Sequence, residues 1–168
     1  MHLLIVRHAI AEDREAFAAR GHLDSERPIT AAGRKKMIKA AAGLSEVAPQ
    51  LDHLVTSPFT RAAQTADIVA KALGLPQPDT IDLLTPERHP REFLDWLKTR
   101  PPANGVGVVG HEPHLGQLIS WCLTGNIDAH FDLKKGGVAL VDFPDQPEEG
   151  KGALCWLLTP GQLRKLAG

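Results

Sequence analysis

The sequence predicts an α/β protein built as a three-layer α/β/α sandwich, with a mostly parallel central sheet and an antiparallel edge. Apolar runs of strand type alternate with helical patterns along the chain, as is typical of βαβ units around a parallel sheet. The last two apolar runs are joined by a short acidic turn, which indicates an antiparallel pair. A chain of 168 residues suits one domain with a buried core, so we expect residues 1–168 to form a single domain.

The chain begins with a strand and, after an interval, a helix. Residues 2–7 form a short apolar run and predict the first strand. Residues 9–29 are polar and are predicted to be irregular. Thr30 is a good N-cap, and we expect a helix from there through Ala42 that Gly43 stops.

The next segments continue the alternation of strand and helix. Residues 52–56 predict the second strand. Ser57 followed by Pro58 is typical of a helix start, with the serine as cap and the proline in the first turn. That helix is expected to end at Gly74. Residues 80–84 predict another short strand.

The remaining elements follow the same pattern. Residues 90–99 predict a short helix, and residues 106–109 predict a strand rich in β-branched side chains. A helix from about Pro113 to Leu123 comes next. The chain is predicted to close with an antiparallel pair of strands and a short helix: residues 137–143, residues 153–158 and the segment after Pro160.

Charge and composition exclude several classes of function. Lys plus Arg (19) nearly balances Asp plus Glu (20), so no overall field attracts nucleic acid or an anionic membrane. No apolar run approaches the ~18–20 residues that span a bilayer, and the run after Met1 is too short for a signal peptide. Cys122 and Cys155 lack metal-ligand spacing and are expected to be reduced thiols. We therefore expect a cytoplasmic enzyme or binding domain.

Three predicted strands, residues 2–7, 52–56 and 106–109, each lead into arginine or histidine. Parallel strands place their carboxyl ends at one edge of the sheet, where ligands bind in open α/β folds. The residues expected to share one cleft there are Arg7, His8, Ser57, Arg61, Gly110 and His111. Helix starts after Ser57 and His111 would add backbone N–H groups and positive dipole ends. The sequence therefore predicts an anion pocket that contains histidines.

The predicted pocket suits a phosphoryl group, because arginine binds phosphate oxygens with paired donors and keeps its charge. Positive charge lowers the pKa of a nearby histidine, so Arg7 and Arg61 are expected to keep His8 neutral, as an attacking nitrogen must be. The expected reaction is attack by His8 on phosphorus, followed by hydrolysis of the phosphohistidine by water. Arg7, Arg61 and His111 would hold the phosphoryl oxygens. No metal or cofactor is expected, since guanidinium groups neutralise the charge.

Four segments of the chain together resemble a known family. They are the strand ending in Arg7-His8, the Arg27-Pro28-Ile29-Thr30-x-x-Gly33 segment, the Ser57-Pro58…Arg61-Ala-x-Gln64-Thr65 segment and Gly110-His111. In this order they resemble the histidine phosphatase superfamily, which includes the phosphoglycerate mutases. The resemblance is greatest to its SixA-like branch of protein phosphohistidine phosphatases.

The resemblance covers residues 3–116 and implies a phosphoglycerate mutase-like fold. By this resemblance His8 is the phosphorylated histidine, Arg7 and Arg61 bind phosphate, and His111 is the second histidine. The implied partner is a histidine-phosphorylated protein domain.

The sequence departs from the family pattern in two places. Ala9 follows His8, where most of the superfamily has glycine. Many relatives use a carboxylic acid to protonate a departing alkoxide, and the nearest candidate here is Glu87. A weak or absent acid favours phosphohistidine, whose imidazole leaves with a pKa near ~6.5. Residues 74–105 are also too few for a large lid, which favours an open site that admits a protein loop.

Two other functions remain open at this stage. The first is a phosphatase for a small phosphate ester, with Glu87 as its general acid. The second is a non-catalytic module that binds phosphorylated proteins through the same arginines. A dinucleotide fingerprint at Gly105–Gly110 is disfavoured because its valines make it a strand. A metal site at His111 and His114 is disfavoured because no further ligand completes it.

Basic residues cluster on the first predicted helix. Arg34, Lys35, Lys36 and Lys39 are expected to form a solvated face, and docking of an acidic protein partner is the alternative. Lys134, at the start of a later strand, is a candidate for the rim of the cleft.

Overall fold

A six-stranded sheet forms the centre of the structure, a computed structural model that describes residues 1–101, 103–128 and 131–168. Its strands are β1 (His2–Arg7), β2 (His53–Thr56), β3 (Asp79–Thr80), β4 (Gly105–Gly110), β5 (Val138–Asp142) and β6 (Ala153–Leu158). Their order is β3-β2-β4-β1-β5-β6. Neighbours from β3 to β1 are parallel, whereas β5 runs antiparallel to both β1 and β6. The mostly parallel sheet with an antiparallel edge is confirmed.

Helices connect the strands and cover the sheet. They are α1 (Arg14–Ala19), α2 (Ala31–Ser45), α3 (Thr60–Leu73), α4 (Pro90–Lys98), α5 (His114–Thr124) and α6 (Pro160–Leu166). Two short 3₁₀ turns, Asp24–Glu26 and Asp82–Leu84, lie in the loops. Among the described residues, no helix is both long enough and apolar enough to cross a membrane.

Alternate side chains of each strand enter different hydrophobic cores, as the period of two in a strand requires. Leu4 and Val6 of β1 pack with α2, α3 and α6 on one face of the sheet. Leu3 and Ile5 pack with α4 and α5 on the other face. The three-layer sandwich predicted from the sequence is therefore confirmed.

Gly43 does not stop α2, as the sequence analysis expected, because the helix continues to Ser45. A Cβ atom at Gly43 would lie 1.8 Å from the carbonyl oxygen of Leu163. The glycine therefore permits α6 to pack directly against α2 and is not a C-cap. Its role depends on a contact far away in the sequence, which a local pattern cannot report.

Two other boundaries also differ from the sequence predictions. Residues 9–29 contain α1, for which Asp13 is the N-cap through a 2.9 Å bond from the Ala16 amide. The predicted strand at 80–84 is shorter, since pairing ends at Thr80 and a 3₁₀ turn follows. These are loop segments whose local structure depends on capping and on neighbouring contacts.

The strand register aligns the residues that follow β1, β2 and β4. Arg7 pairs with Gly110, and Thr56 pairs with Val109. Beyond the strands, the His8 amide donates to the Gly110 carbonyl and the Ser57 amide donates to the Val109 carbonyl, both at 3.0 Å. The chain segments that bear His8, Ser57 and His111 therefore leave the sheet side by side at its carboxyl edge.

Candidate active site

A cavity of about 450 Å³ opens at the carboxyl edge of the sheet. Four residues predicted from the sequence line it: Arg7, His8, Arg61 and His111. Its remaining walls come from Ala11, Glu12, Asp13, Arg14, Arg27, Pro86, Glu112 and Lys135. A separate cavity of about 360 Å³ lies at the opposite edge, beside Met1 and Val106, and none of the predicted site residues lines it.

The imidazole of His8 is held in one tautomer by the backbone of the next residue. Its Nδ1 atom lies 2.7 Å from the carbonyl oxygen of Ala9. A carbonyl oxygen can only accept, so Nδ1 carries the hydrogen and Nε2 keeps its lone pair. The Ala9 amide is anchored in turn, since it donates to the hydroxyl of Thr65 at 3.0 Å. The nitrogen suited to attack is therefore Nε2.

Burial is the main reason why His8 stays neutral. Only 5% of the residue is exposed. Burial, opposed by the bond to Ala9 and reinforced by the charges of Arg61 and Arg7, lowers the pKa of His8 from 6.5 to about 3. The charges of the arginines, expected from the sequence to keep His8 neutral, do lower its pKa, but loss of hydration is the larger contribution.

His111 lies beside His8, with ring centroids 5.1 Å apart. Its Nε2 is 2.9 Å from the hydroxyl of Ser57, and that oxygen also accepts from the Phe59 amide at 3.3 Å. A hydroxyl has one donor and two acceptor sites, so Ser57 can pair with Nε2 of His111 in either tautomer of the ring while it accepts from the Phe59 amide. Burial, followed by the neighbouring His8 and Arg61, lowers the pKa of His111 to about 2.

These contacts explain why α3 begins later than the sequence predicted. The helix starts at Thr60 with Phe59 as N-cap, so Ser57 and Pro58 lie before it. The hydroxyl of Ser57 binds His111 and the Phe59 amide instead of capping the first turn. Similarly, α5 starts at His114 with Pro113 as N-cap.

Arg61 is almost fully buried and is held by a single acidic residue. Its two terminal nitrogens donate to the carbonyl oxygen of Asp24 at 2.7 Å and to its carboxylate at 3.0 Å. The same carboxylate accepts from Nε of Arg27 at 2.9 Å and lies 3.4 Å from Nε of Arg14. Partial burial opposes ionisation of Asp24, but the Arg27 hydrogen bond and the charges of these arginines outweigh it and lower its pKa.

Arg7 is positioned by the loop that precedes β5. Its guanidinium donates to the carbonyl oxygen of Leu133, and the Leu133 amide donates to the carboxylate of Glu112 at 3.2 Å. The other carboxylate oxygen of Glu112 accepts from the Gly116 amide at 3.2 Å. Burial raises the pKa of Glu112, although both amides and Arg7 act against it. The same loop carries Lys135 into the cavity wall.

The structure brings together all but one of the catalytic candidates from the sequence. Glu87 is exposed and is not among the residues that line the cavity, although its neighbour Pro86 is. On the rim, Lys135 lines the cavity where the sequence analysis named Lys134. His114, considered as a metal ligand, is buried in α5 and does not line the cavity.

Sequence reasoning missed three groups of the site: Arg27, Asp24 and Glu112. Arg27 lies in a segment that was recognised only for its resemblance, and its direction toward the cavity was not inferred. Asp24 precedes Arg27 by three residues, a spacing that suits an ion pair across a 3₁₀ turn. Glu112 directly follows His111, but no local pattern indicates that it binds an amide 21 residues away.

Comparison with known proteins agrees with this geometry. The family model described as histidine phosphatase superfamily (branch 1) matches residues 3–84. An uncharacterized protein of Picosynechococcus sp. is 36% identical over 141 residues, which cover 82% of each chain. Phosphohistidine phosphatase SixA of Escherichia coli is 27% identical over 167 residues, covering 98% of this chain and 97% of SixA.

Solved structures give the same result at the level of the fold. The protein histidine phosphatase SixA complexed with tungstate superposes with a TM-score of 0.82 at 27% identity, covering 97% of this chain and 99% of SixA. An alpha-ribazole phosphatase from Shigella flexneri has a TM-score of 0.67 at 19% identity, covering 95% and 97%. At this identity, the likeness to the alpha-ribazole phosphatase shows the fold alone. By its motifs, its fold and its relatives, the chain belongs to the histidine phosphatase superfamily, in the SixA-like branch.

Proposed function

We propose that this protein is a phosphatase that removes phosphate from phosphohistidine on a protein, through a phosphorylated His8. The observation that carries the proposal is the tautomer of His8. Its Nδ1–H donates to the Ala9 carbonyl, so the lone pair of Nε2 is free within a cavity that arginines line. The proposal treats residues 1–168 as one domain acting in the cytoplasm, where a buried Cys122 and an exposed Cys155 remain thiols.

The first chemical step is transfer of the phosphoryl group to His8. The substrate ring takes a proton from solvent on its second nitrogen, Nε2 of His8 attacks phosphorus, and the bond between phosphorus and the substrate ring breaks. The substrate ring thus leaves as neutral imidazole. The phosphorylated ring of His8 carries an additional positive charge, which the Ala9 carbonyl stabilises through Nδ1–H. Arg7, Arg61 and His111 contact the three phosphoryl oxygens and stabilise the charge of a loose transition state.

The second step releases inorganic phosphate. Water attacks phosphorus, the bond to Nε2 breaks, and His8 returns to its neutral form with the hydrogen still on Nδ1. The sum is phosphohistidine plus water giving histidine plus phosphate, with no change in oxidation state. Because the pKa of His8 is about 3, the residue does not compete for a proton at neutral pH, and its lone pair is ready for the next turnover.

The carboxyl groups around the cavity favour phosphohistidine over an alkyl phosphate. Glu12 is paired with Arg20, Asp13 caps α1, and Glu112 accepts an amide hydrogen at each oxygen. An alkoxide leaving group needs a proton from an acid, whereas an imidazole leaves with much less help. An arrangement in which every carboxyl of the cavity wall already has a structural role suits the imidazole.

The position of α4 supports access by a protein. Phe93, Leu94 and Leu97 of this helix are buried in the core beneath α5 and do not cover the cavity. From the segment between α3 and β4, Pro86 reaches the cavity wall. A phosphorylated side chain on a protein loop can therefore approach Nε2 of His8 past an open rim.

A small phosphate ester is the second candidate substrate, and the raised pKa of Glu112 is the observation that favours it. Glu112 lies in the cavity wall, and burial raises its pKa, which favours the protonated form that an alkoxide leaving group requires. Glu112→Gln tests Glu112, since loss of Arg7 positioning lowers both activities whereas loss of an acid lowers ester hydrolysis alone, and Glu87→Gln tests the acid named from the sequence. A large loss on an alkyl phosphate, with phosphohistidine cleavage spared, identifies which carboxyl assists ester hydrolysis.

The decisive experiment follows phosphate release from a histidine-phosphorylated protein domain, with and without EDTA. Wild-type protein is compared with His8→Ala and with the control His53→Ala, which removes an exposed histidine at the opposite edge of the sheet. We expect turnover that survives EDTA, disappears in His8→Ala and persists in His53→Ala. Tight binding of the phosphorylated domain without turnover would instead identify a binding module. Turnover of a phosphate ester alone would identify the ester phosphatase.

A further inference from the structure

A basic face lies beside the candidate active site, and the proposed reaction does not use it. Helix α2 carries Arg34, Lys35, Lys36 and Lys39 with no acidic residue between Ala31 and Ser45. Helix α6, which packs against α2, carries Arg164 and Lys165 and likewise contains no acidic residue. The chain as a whole has a net charge of −1, so positive charge is concentrated on this face.

Within the part of the chain that the structure describes, these cations have no acidic partners. In residues 1–101, 103–128 and 131–168, no salt bridge involves any basic residue of α2 or α6. By contrast, Arg88, Arg91 and Lys98 near α4 all have carboxylate partners. Exposed cations that lack counter-charges attract an anionic ligand most strongly.

A groove on this face adjoins the catalytic cavity. Its volume is about 150 Å³, and its charged walls are Lys36, Lys135 and Arg164. Its floor is apolar and includes Met37 and Ile10, the latter 37% exposed. Lys135 also lines the catalytic cavity, so the two depressions share a wall.

The groove begins beside the residue that carries the attacking nitrogen. Ala9, which directly follows His8 in the chain, is part of its lining. Residues that flank the phosphohistidine of a bound peptide would therefore lie near the groove. The apolar floor and cationic walls suit side chains that combine a carboxylate with a short aliphatic stem.

We propose that this groove, bounded by Lys36, Lys135 and Arg164, docks an acidic segment of the phosphoprotein substrate next to its phosphohistidine. The proposal rests on the proposed function, and it adds which proteins are preferred. A peptide is favoured over a nucleic acid because the groove offers no aromatic ring for base stacking among its lining residues. It is favoured over a membrane because the cations surround a depression that shares Lys135 with the wall of the catalytic cavity.

The test compares two phosphohistidine peptides of equal length, one flanked by glutamates and one by glutamines. At low ionic strength we expect wild-type kcat/KM to favour the glutamate peptide by about tenfold, mainly through KM. The double variant Lys36→Glu/Arg164→Glu should abolish that preference, and Lys36→Gln/Arg164→Gln should reduce it. The matched control Lys71→Glu/Lys151→Glu changes the net charge by the same amount at exposed residues elsewhere. This control should keep the preference for the glutamate peptide. Added salt should weaken the wild-type preference.

A second readout separates failure of docking from failure of the proposed function. All variants should hydrolyse a small phosphoramidate at the wild-type rate, because none of the four substituted residues lines the catalytic cavity. Equal kcat/KM for both peptides in the wild type would overturn the docking proposal while leaving the phosphatase intact. If no phosphohistidine is hydrolysed, the groove can still be tested by measuring the binding of the unphosphorylated glutamate peptide with fluorescence anisotropy. Stronger binding of a single-stranded oligonucleotide or of phosphatidylserine vesicles would also overturn it.

Discussion

Asp24 accepts hydrogen bonds from both terminal nitrogens of Arg61, one at its carbonyl oxygen (2.7 Å) and one at its carboxylate (3.0 Å). Arg61 is 1% exposed and Asp24 is 37% exposed, so a buried cation is fixed by a carboxylate that solvent can reach. Nε of Arg61 has no hydrogen-bond partner among the described residues. The guanidinium is therefore oriented before any ligand arrives.

Asp24→Asn should lower the stability of the protein. The substitution removes the charge that balances Arg61 and Arg27, and we expect a loss of about 1–2 kcal/mol in the free energy of unfolding. This value is at the lower end for a broken ion pair because Asp24 is partly solvated. Urea unfolding measures the loss. Asp95→Asn, which breaks exposed ion pairs with Arg91 and Lys98, should change stability much less.

An oxyanion should stabilise the Asp24→Asn variant, because phosphate or tungstate supplies the missing negative charge near Arg61. Thermal unfolding with and without the anion measures this effect. If the variant unfolds like the wild type and binds tungstate equally well, Asp24 does not orient Arg61.

Ser57→Ala should reduce turnover with little effect on KM. The Ser57 hydroxyl fixes the ring of His111 at 2.9 Å and also accepts from the Phe59 amide. Loss of an orienting partner for a catalytic group typically costs 10–100-fold in activity, and we expect about tenfold in kcat. Steady-state kinetics on the phosphorylated protein domain provide the measurement. Ser45→Ala, at the exposed end of α2, is the matched control and should behave as wild type; an unchanged kcat in Ser57→Ala would contradict this role.

Acid should destabilise the protein well before its carboxylates are protonated. His8, His111 and His114 have folded-state pKa values of about 3, 2 and 4, below the ordinary 6.5 of the unfolded chain. Below pH 6.5 the unfolded state therefore binds protons that the folded state does not, and the free energy of unfolding falls. Each histidine contributes a slope of about 1.4 kcal/mol per pH unit, and that of His114 levels off near pH 4.

His114→Leu should reduce this pH dependence by one proton. The His114 side chain is fully buried, and within the described chain neither ring nitrogen has a hydrogen-bond partner. An apolar residue of similar size therefore costs little at pH 7.5. Between pH 7.5 and pH 5, we expect the free energy of unfolding to fall by about 2 kcal/mol less in the variant than in the wild type. Urea unfolding at the two pH values measures the difference, and parallel profiles would show that His114 titrates normally.

Gly43→Ala should disrupt the contact between α2 and α6. The added methyl group would lie 1.8 Å from the Leu163 carbonyl oxygen, so one helix must shift. We expect a loss of about 2–4 kcal/mol, despite the higher helix propensity of alanine. Gly161→Ala is the control, because its nearest neighbour would be 3.8 Å away. Stability equal to the wild type in Gly43→Ala would mean that α6 is not firmly docked.

Much of the fold could be predicted because its signals are local. The runs at β1, β2 and β4 are short and apolar, and the parallel arrangement follows from their alternation with helices. Once the strands are parallel, their carboxyl ends must meet at one edge of the sheet, which brings His8 and His111 together.

The boundaries that were mispredicted depend on contacts between distant residues. Gly43 resembles a helix stop in sequence, but it lies inside α2 because Leu163 approaches it. Ser57 resembles an N-cap, but its hydroxyl binds His111. In both cases a group that a local pattern assigned to the helix end serves a partner more than 50 residues away in the chain.

The sequence by itself determined the fold class and which residues, His8, Arg7, Arg61 and His111, meet at one edge of the sheet. Only the tertiary structure decided how they are held: the His8 tautomer by Ala9, Arg61 by Asp24, and Arg7 by the loop anchored on Glu112. The reason is physical. Periodicity and strand polarity are properties of neighbouring residues, whereas burial, hydrogen-bond partners and the pKa shifts they cause arise only when distant segments pack together.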